Sequence, residues 1–203
     1  MKILIISPPR CGSTSLLNSI SVLRNAERIA EPYTNPEELI SRDPYTYPLS
    51  LSKNCVVKMI TRQVPIDYGT PDDFVEFILS IYNLYDRVIL ISRKNFKDHF
   101  ESYVNLKLKL NKEDVHAPWY IEDIKKYIDS ISKTDFRKFI TPISKLSKNL
   151  SIPITYYEDL YSLDRNKSYK ILENLNIDLN YHKLNYLLNP RFKYRQSSKK
   201  NIL

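Results

Sequence analysis

Hydrophobic positions along the chain fall into two kinds of segment. Short, nearly unbroken apolar runs occur at Lys2-Ile3-Leu4-Ile5-Ile6, Cys55-Val56-Val57-Lys58-Met59-Ile60 and Arg87-Val88-Ile89-Leu90-Ile91-Ser92. Runs that are apolar at successive rather than alternate positions predict parallel strands buried on both faces. Two weaker runs predict a short strand from Ala26 ending at Glu31 and a last strand over Ile152-Pro153-Ile154-Thr155-Tyr156-Tyr157. Between the runs the apolar residues take helical spacing. A first helix is predicted from about Thr14 to Arg24, and Thr34-Asn35-Pro36-Glu37-Glu38 marks another helix start, with proline at the first helical position. Phe74, Phe77, Ile78, Ile81 and Leu84 share one face of a helix that begins at Pro71 and runs to about Tyr85. Further helices are predicted from about Phe96 to Leu110, over much of Tyr120 to Leu150 with a break at Pro142 near Thr141, and over about Arg165–Leu175 and Tyr181–Leu188. Arg42 to Asn54 and Asn111 to Pro118 are expected to be loops. Strands alternating with helices predict an α/β class fold, a single domain with a central parallel sheet flanked by helices, over residues 1–190. A basic arm over 191–203 would follow it.

The first apolar run leads into Ser7-Pro8-Pro9-Arg10-Cys11-Gly12-Ser13-Thr14-Ser15, and Gly12 is one of only two glycines in the chain. A glycine so rarely used points to a place where φ is positive or no side chain fits. A strand that feeds a helix through such a turn aims several backbone N–H groups at one point, with the helix dipole behind them. That point suits an anion. The loop matches the Walker A pattern in part: Ser7 stands at the first glycine, Gly12 at the second, Ser13 at the lysine and Thr14 at the Ser/Thr. Arg10 brings the positive charge from inside the loop, and the missing lysine argues against an ordinary ATPase or kinase. In open α/β sheets ligands sit beyond the carboxyl ends of the strands. Arg10, Glu31, Lys58 and Arg93 lie at or near four such ends.

Pro9-Arg10-Cys11-Gly12-Ser13-Thr14 resembles the 5′-phosphosulfate loop, P-R-[SC]-G-[ST]-[ST], of the PAPS-dependent sulfotransferases. Arg93 with Ser102 resembles that family's 3′-phosphate signature, in a form closer to its bacterial branches, such as the Nod-factor and trehalose sulfotransferases. The two residues stand one position further apart than in many members, which turns a helical side chain by ~100°. Tyr156-Tyr157-Glu158-Asp159-Leu160 resembles the R-Y-E-D-L segment, and Glu31-Pro32 the E-P after the second strand. The resemblance covers roughly residues 1–160. It implies a P-loop sulfotransferase-like fold and a transferase that moves a sulfuryl group from PAPS (3′-phosphoadenosine 5′-phosphosulfate) to a hydroxyl of a small-molecule or carbohydrate acceptor, with PAP as product. Pro9, Arg10, Cys11, Gly12, Ser13, Thr14, Ser15, Arg93 and Ser102 would hold the nucleotide; the basic arm departs from the family, and Arg195 either closes over the 3′-phosphate in place of the family's own segment or belongs to a disordered tail. Glu31 would take the acceptor's proton, while Arg10 and Lys58 would stabilise charge on the leaving phosphate oxygen. Glu158 and Asp159 are read as mainly structural. Sulfuryl transfer carries one fewer negative charge than phosphoryl transfer, so no metal is expected. Two departures stand out: no glycine-rich, lysine-bearing segment closes the chain, and no catalytic histidine follows a lysine-bearing strand. The second favours a carboxylate base.

Composition changes this picture little. The net charge of +8 suits an anionic ligand, and nucleic acid or a membrane surface would suit it as well. The alternatives are a P-loop nucleotide or small-molecule kinase using ATP and Mg²⁺, a basic nucleic-acid-binding module, and an inactive nucleotide binder. For the second, the 16 tyrosines are scattered rather than grouped on one strand, so no nucleic acid is expected. Cys11 and Cys55 are the only cysteines, and Cys11 sits in the loop, which points to a reduced, cytoplasmic setting. No stretch approaches the ~20 apolar residues of a membrane span. His99, His116 and His182 lack metal-ligand spacing.

Overall fold

The three nearly unbroken apolar runs form the centre of the sheet. In a computed structural model, which describes residues 1–33, 43–61, 70–114, 132–162 and 164–175, they are β1 (Lys2–Ser7), β3 (Cys55–Ile60) and β4 (Arg87–Ser92). Two shorter strands, β2 (Glu27–Ala30) and β5 (Ile154–Tyr156), flank them. The order is β2-β3-β1-β4-β5 and every pairing is parallel. Seven α-helices surround the sheet among the described residues: α1 (Ser13–Arg24), α2 (Tyr47–Ser50), α3 (Pro71–Ile81), α4 (Phe96–Asp114), α5 (Lys133–Leu150), α6 (Tyr157–Leu160) and α7 (Arg165–Asn174), with a 3-10 turn at Tyr82–Leu84 after α3.

Both faces of the sheet are covered, which is why the central strands carry almost no polar side chains. Leu4, Ile6, Val57, Met59 and Leu90 pack with Phe74, Phe77 and Ile78 of α3 and with Ile143 and Leu146 of α5. Ile3, Ile5, Val56, Ile89 and Ile91 pack on the other face with Leu16, Leu17 and Ile20 of α1 and Leu172 of α7. The chain leaves β1 toward β2 through α1 on one face, and leaves β4 toward β5 through α5 on the opposite face. Neighbouring strands whose connections part in this way open a crevice at their carboxyl ends, the usual ligand position in such sheets. The β1–α1 loop and the start of α4 both lie there.

Four local expectations are corrected. The helix from Phe96 continues to Asp114, through part of the expected 111–118 loop. Pro142 does not break its helix: α5 runs unbroken from Lys133 to Leu150 with Pro142 buried inside it. Side-chain hydroxyls bond to carbonyls around it, Thr141 Oγ1 to Arg137 O at 3.0 Å and Thr61 Oγ1 to Phe139 O at 2.7 Å. Burial of Pro142 with Ile143 and Leu146 then outweighs the lost backbone bond. The tyrosine-rich 42–54 segment holds the short α2. The second strand stops at Ala30 because Glu31 takes φ 55. The helix start at Thr34–Glu38, residues 120–131, the helix at Tyr181–Leu188, His116, His182 and the 191–203 arm with Arg195 lie outside the described residues. Among the described residues no helix is long and apolar enough to cross a membrane.

Candidate functional site

The loop after β1 is built on two left-handed residues, Arg10 at φ 68 and Gly12 at φ 72. For arginine this region costs roughly 1–2 kcal/mol, and such strain gathers where a loop must hold a ligand geometry. Gly12 is the residue before α1 and offers no side-chain cap; the first turn of α1 carries no acid. Among the described residues no side chain caps the backbone N–H groups of that turn, an arrangement that suits an anion. Ser7 Oγ donates to Ser13 Oγ at 2.7 Å, both buried, and this pair closes the base of the loop. Tyr161 Oη donates to Gly12 O at 2.9 Å. A Cβ on Gly12 would stand 2.8 Å from the Tyr157 ring and 2.9 Å from that of Tyr161. Glycine is required here twice over, by φ and by space.

The positive charge missing at the Walker lysine arrives from β3. Lys58 pairs in register with Ile5 and with Ala30, and its side chain is 4% exposed. Its Nζ donates to Thr14 Oγ1, in the first turn of α1, at 2.9 Å, and makes an ion pair with Glu31 Oε1. Glu31 is fastened in turn by its own N–H, which donates to Lys58 O at 2.8 Å. A cation, a hydroxyl and a carboxylate thus meet where β2, β3 and α1 converge.

The second predicted pair is divided. Arg93 follows β4, with its guanidinium 4.3 Å above the Tyr157 ring and its Nε buried without a hydrogen-bond partner among the described residues. Ser102, on α4, accepts from Arg10 Nε at 3.4 Å. Glu158 accepts from the Lys94 N–H at 3.0 Å, and Asp159 pairs with Lys94 at 2.8 Å and Lys167 at 2.7 Å. Hydrogen bonds from Lys167 and then Lys94 hold the Asp159 carboxyl below its ordinary range. These contacts tie α6 to the turn that carries Arg93. Of the loop residues, Pro9 offers its carbonyl to α4, and Ser15 O accepts from Ser19 Oγ at 2.9 Å inside α1.

His99 carries a role that its sequence position did not reveal. It is fully buried, its Nε2–H donates to Pro9 O at 2.7 Å, and the same nitrogen lies 3.4 Å from Cys11 Sγ. Its ring meets Phe136 edge-on at 4.8 Å. A cysteine beside a histidine suggests an activated thiolate, but burial moves both groups the wrong way. The thiol is pushed up to about 12 and the imidazole down to about 4. Both are neutral at pH 7, so the pair is a staple between α4 and the loop rather than a nucleophile and base. Sequence reasoning misses it because its partners Pro9 and Cys11 lie 90 and 88 residues away in the chain and His99 belongs to no metal-ligand spacing. Because the folded imidazole titrates below its unfolded value of 6.5, the unfolded chain takes up the proton first. The contribution is complete above pH 6.5 and is lost as pH falls toward 4, amounting to about 3 kcal/mol. Urea midpoints of the wild type and His99→Leu should therefore converge between pH 7 and pH 4.5; a constant gap would refute the assignment.

Together these features define an α/β protein whose β1–α1 loop, Lys58, Glu31, Arg10 and Arg93 all stand at or beside the carboxyl ends of a parallel sheet. No protein-family model matches the chain, and a search of curated proteins finds no match.

Proposed function

We propose that the protein is a PAPS-dependent sulfotransferase acting on a hydroxyl of a small-molecule or carbohydrate acceptor. The observation that carries the reading is Lys58 Nζ held between Thr14 Oγ1 and the Glu31 carboxylate at the mouth of the uncapped α1. The residues suit such a nucleotide. The first turn of α1 and Lys58 suit the 5′-phosphosulfate, and the stacked guanidinium of Arg93, with an unused buried Nε, suits a second phosphate. Arg10 and Ser102, 3.4 Å apart, join the two regions. PAPS, when bound, supplies the sulfuryl group and PAP as leaving group. Glu31 accepts the proton of the acceptor hydroxyl, Lys58 neutralises charge developing on the leaving oxygen, and Thr14 holds Lys58 in place. The free, buried thiols of Cys11 and Cys55 suit a reduced, cytoplasmic setting.

One observation favours a second reading. Lys58 puts a lysine at the helix start after all, so transfer of a phosphoryl group from ATP with Mg²⁺ also has its cation. Thermal unfolding separates the two. At a hundredfold excess over Kd a ligand adds about 2.7 kcal/mol, or roughly 5–10 °C for a chain of this size. PAP without metal is expected to give this shift. A shift with ATP–Mg²⁺ and none with PAP would overturn the sulfotransferase in favour of the kinase.

A further inference from the structure

Lys58 is the most deeply buried charge of the site, and one ammonium has two claimants. A lysine that is 3% exposed keeps its charge only if negative or polar partners surround it. Glu31 supplies the charge and Thr14 Oγ1 a hydroxyl, using two of the three N–H donors. Thr14 belongs to the first turn of α1, so an anion seated there lies on the Thr14 side of the same ammonium. That anion and the Glu31 carboxylate are like charges drawn to one cation. Each weakens the other's hold.

We infer that Glu31 competes with the bound nucleotide for Lys58, so that anion binding weakens the Lys58–Glu31 ion pair and the carboxylate weakens anion binding. This rests on the anion-site reading above and adds a coupling to it: the nucleotide and the Glu31 carboxylate hold Lys58 at each other's expense. The backbone geometry suits a fixed hinge for the exchange. Glu31 sits at φ 55 with its N–H bonded to Lys58 O, so the two side chains exchange partners while their main chains stay joined. Coupling of this kind is reciprocal, and removing the carboxylate charge must strengthen anion binding by the factor with which the anion weakens the ion pair.

The test is the affinity for PAP, by isothermal titration, of the wild type, Glu31→Gln and Glu31→Asp. Turnover is not the readout, since a base lost by substitution stops it under any scheme. Glu31→Gln is expected to bind PAP about tenfold more tightly, within the usual range of coupling between sites. Glu31→Asp, which keeps the charge and shortens its reach, should fall between, and it carries the test should the Gln variant not fold. Unchanged or weaker PAP affinity in these variants would overturn the competition and make Glu31 a residue that merely positions Lys58, leaving the anion site intact. A wild type that binds no PAP would remove the underlying reading, and the inference with it.

Discussion

Gly12→Ala is expected to destabilise the fold by about 2–4 kcal/mol, roughly 1 from the left-handed backbone and about 1–3 from overpacking. At φ 72 alanine is strained in any surroundings, and here its methyl would meet ring carbons of Tyr157 at 2.8 Å and Tyr161 at 2.9 Å. Neither ring can give way cheaply. Tyr161 is fixed by its hydroxyl on Gly12 O at 2.9 Å, Tyr157 lies under the Arg93 guanidinium at 4.3 Å, and the two rings lean on each other at 4.8 Å. Out of a total stability of about 5–15 kcal/mol, a loss of that size is readily measured as a fall in denaturation midpoint at constant slope. The double variant Gly12→Ala/Tyr157→Ala tells the two causes apart. Removing the ring relieves the clash and leaves the backbone cost, so the pair should be less destabilised than the sum of the singles. Simple additivity would mean that the loop relaxes without touching Tyr157.

That contact also shows which parts of the site local sequence could reveal. The rarity of glycine marked Gly12 as a special position, and the apolar runs marked β1, β3 and β4, because both signals are properties of neighbouring residues. Lys58 was visible for the same reason, as one charge in an otherwise apolar buried strand. What occupies the space beside Gly12 was not visible, since Tyr161 is 149 residues away in the chain. His99 escaped likewise: its partner carbonyl at Pro9 is 90 residues distant, and burial, which decides its titration, is a property of the packed fold. Pro142 is the converse case. A sound local rule predicted a break, and packing of α5 against the sheet overrode it. Arg93 and Ser102 fall between these cases. The sequence put both near the crevice, but only the folded chain gives Ser102 to Arg10 and sets Arg93 on an aromatic ring.

Lys58→Met should separate function from stability more sharply than any other change in the site. Methionine fills much of the lysine's volume and needs no counter-charge, but it removes one partner of an ion pair, which costs about 3–5 kcal/mol where the charge left behind is fully buried. The carboxylate left behind is 29% exposed, so water can solvate part of what Lys58 neutralised. Stability is therefore expected to fall by about 1–3 kcal/mol, less than for a fully buried pair. Binding and catalysis should not be spared. Losing a charge-assisted contact to the anion lowers PAP affinity by about 10- to 100-fold. In the proposed reaction, losing a cation that strengthens its hold as charge builds on the leaving oxygen is expected to lower turnover from PAPS by a further 10²–10³-fold, roughly 3–4 kcal/mol of barrier. Because the second loss is confined to the transition state, it must appear in kcat at saturating nucleotide, where weakened binding alone would be hidden. If saturation restored wild-type kcat, Lys58 would be a binding residue only. If instead activity fell in step with the unfolded fraction, Lys58 would be a structural member of the sheet.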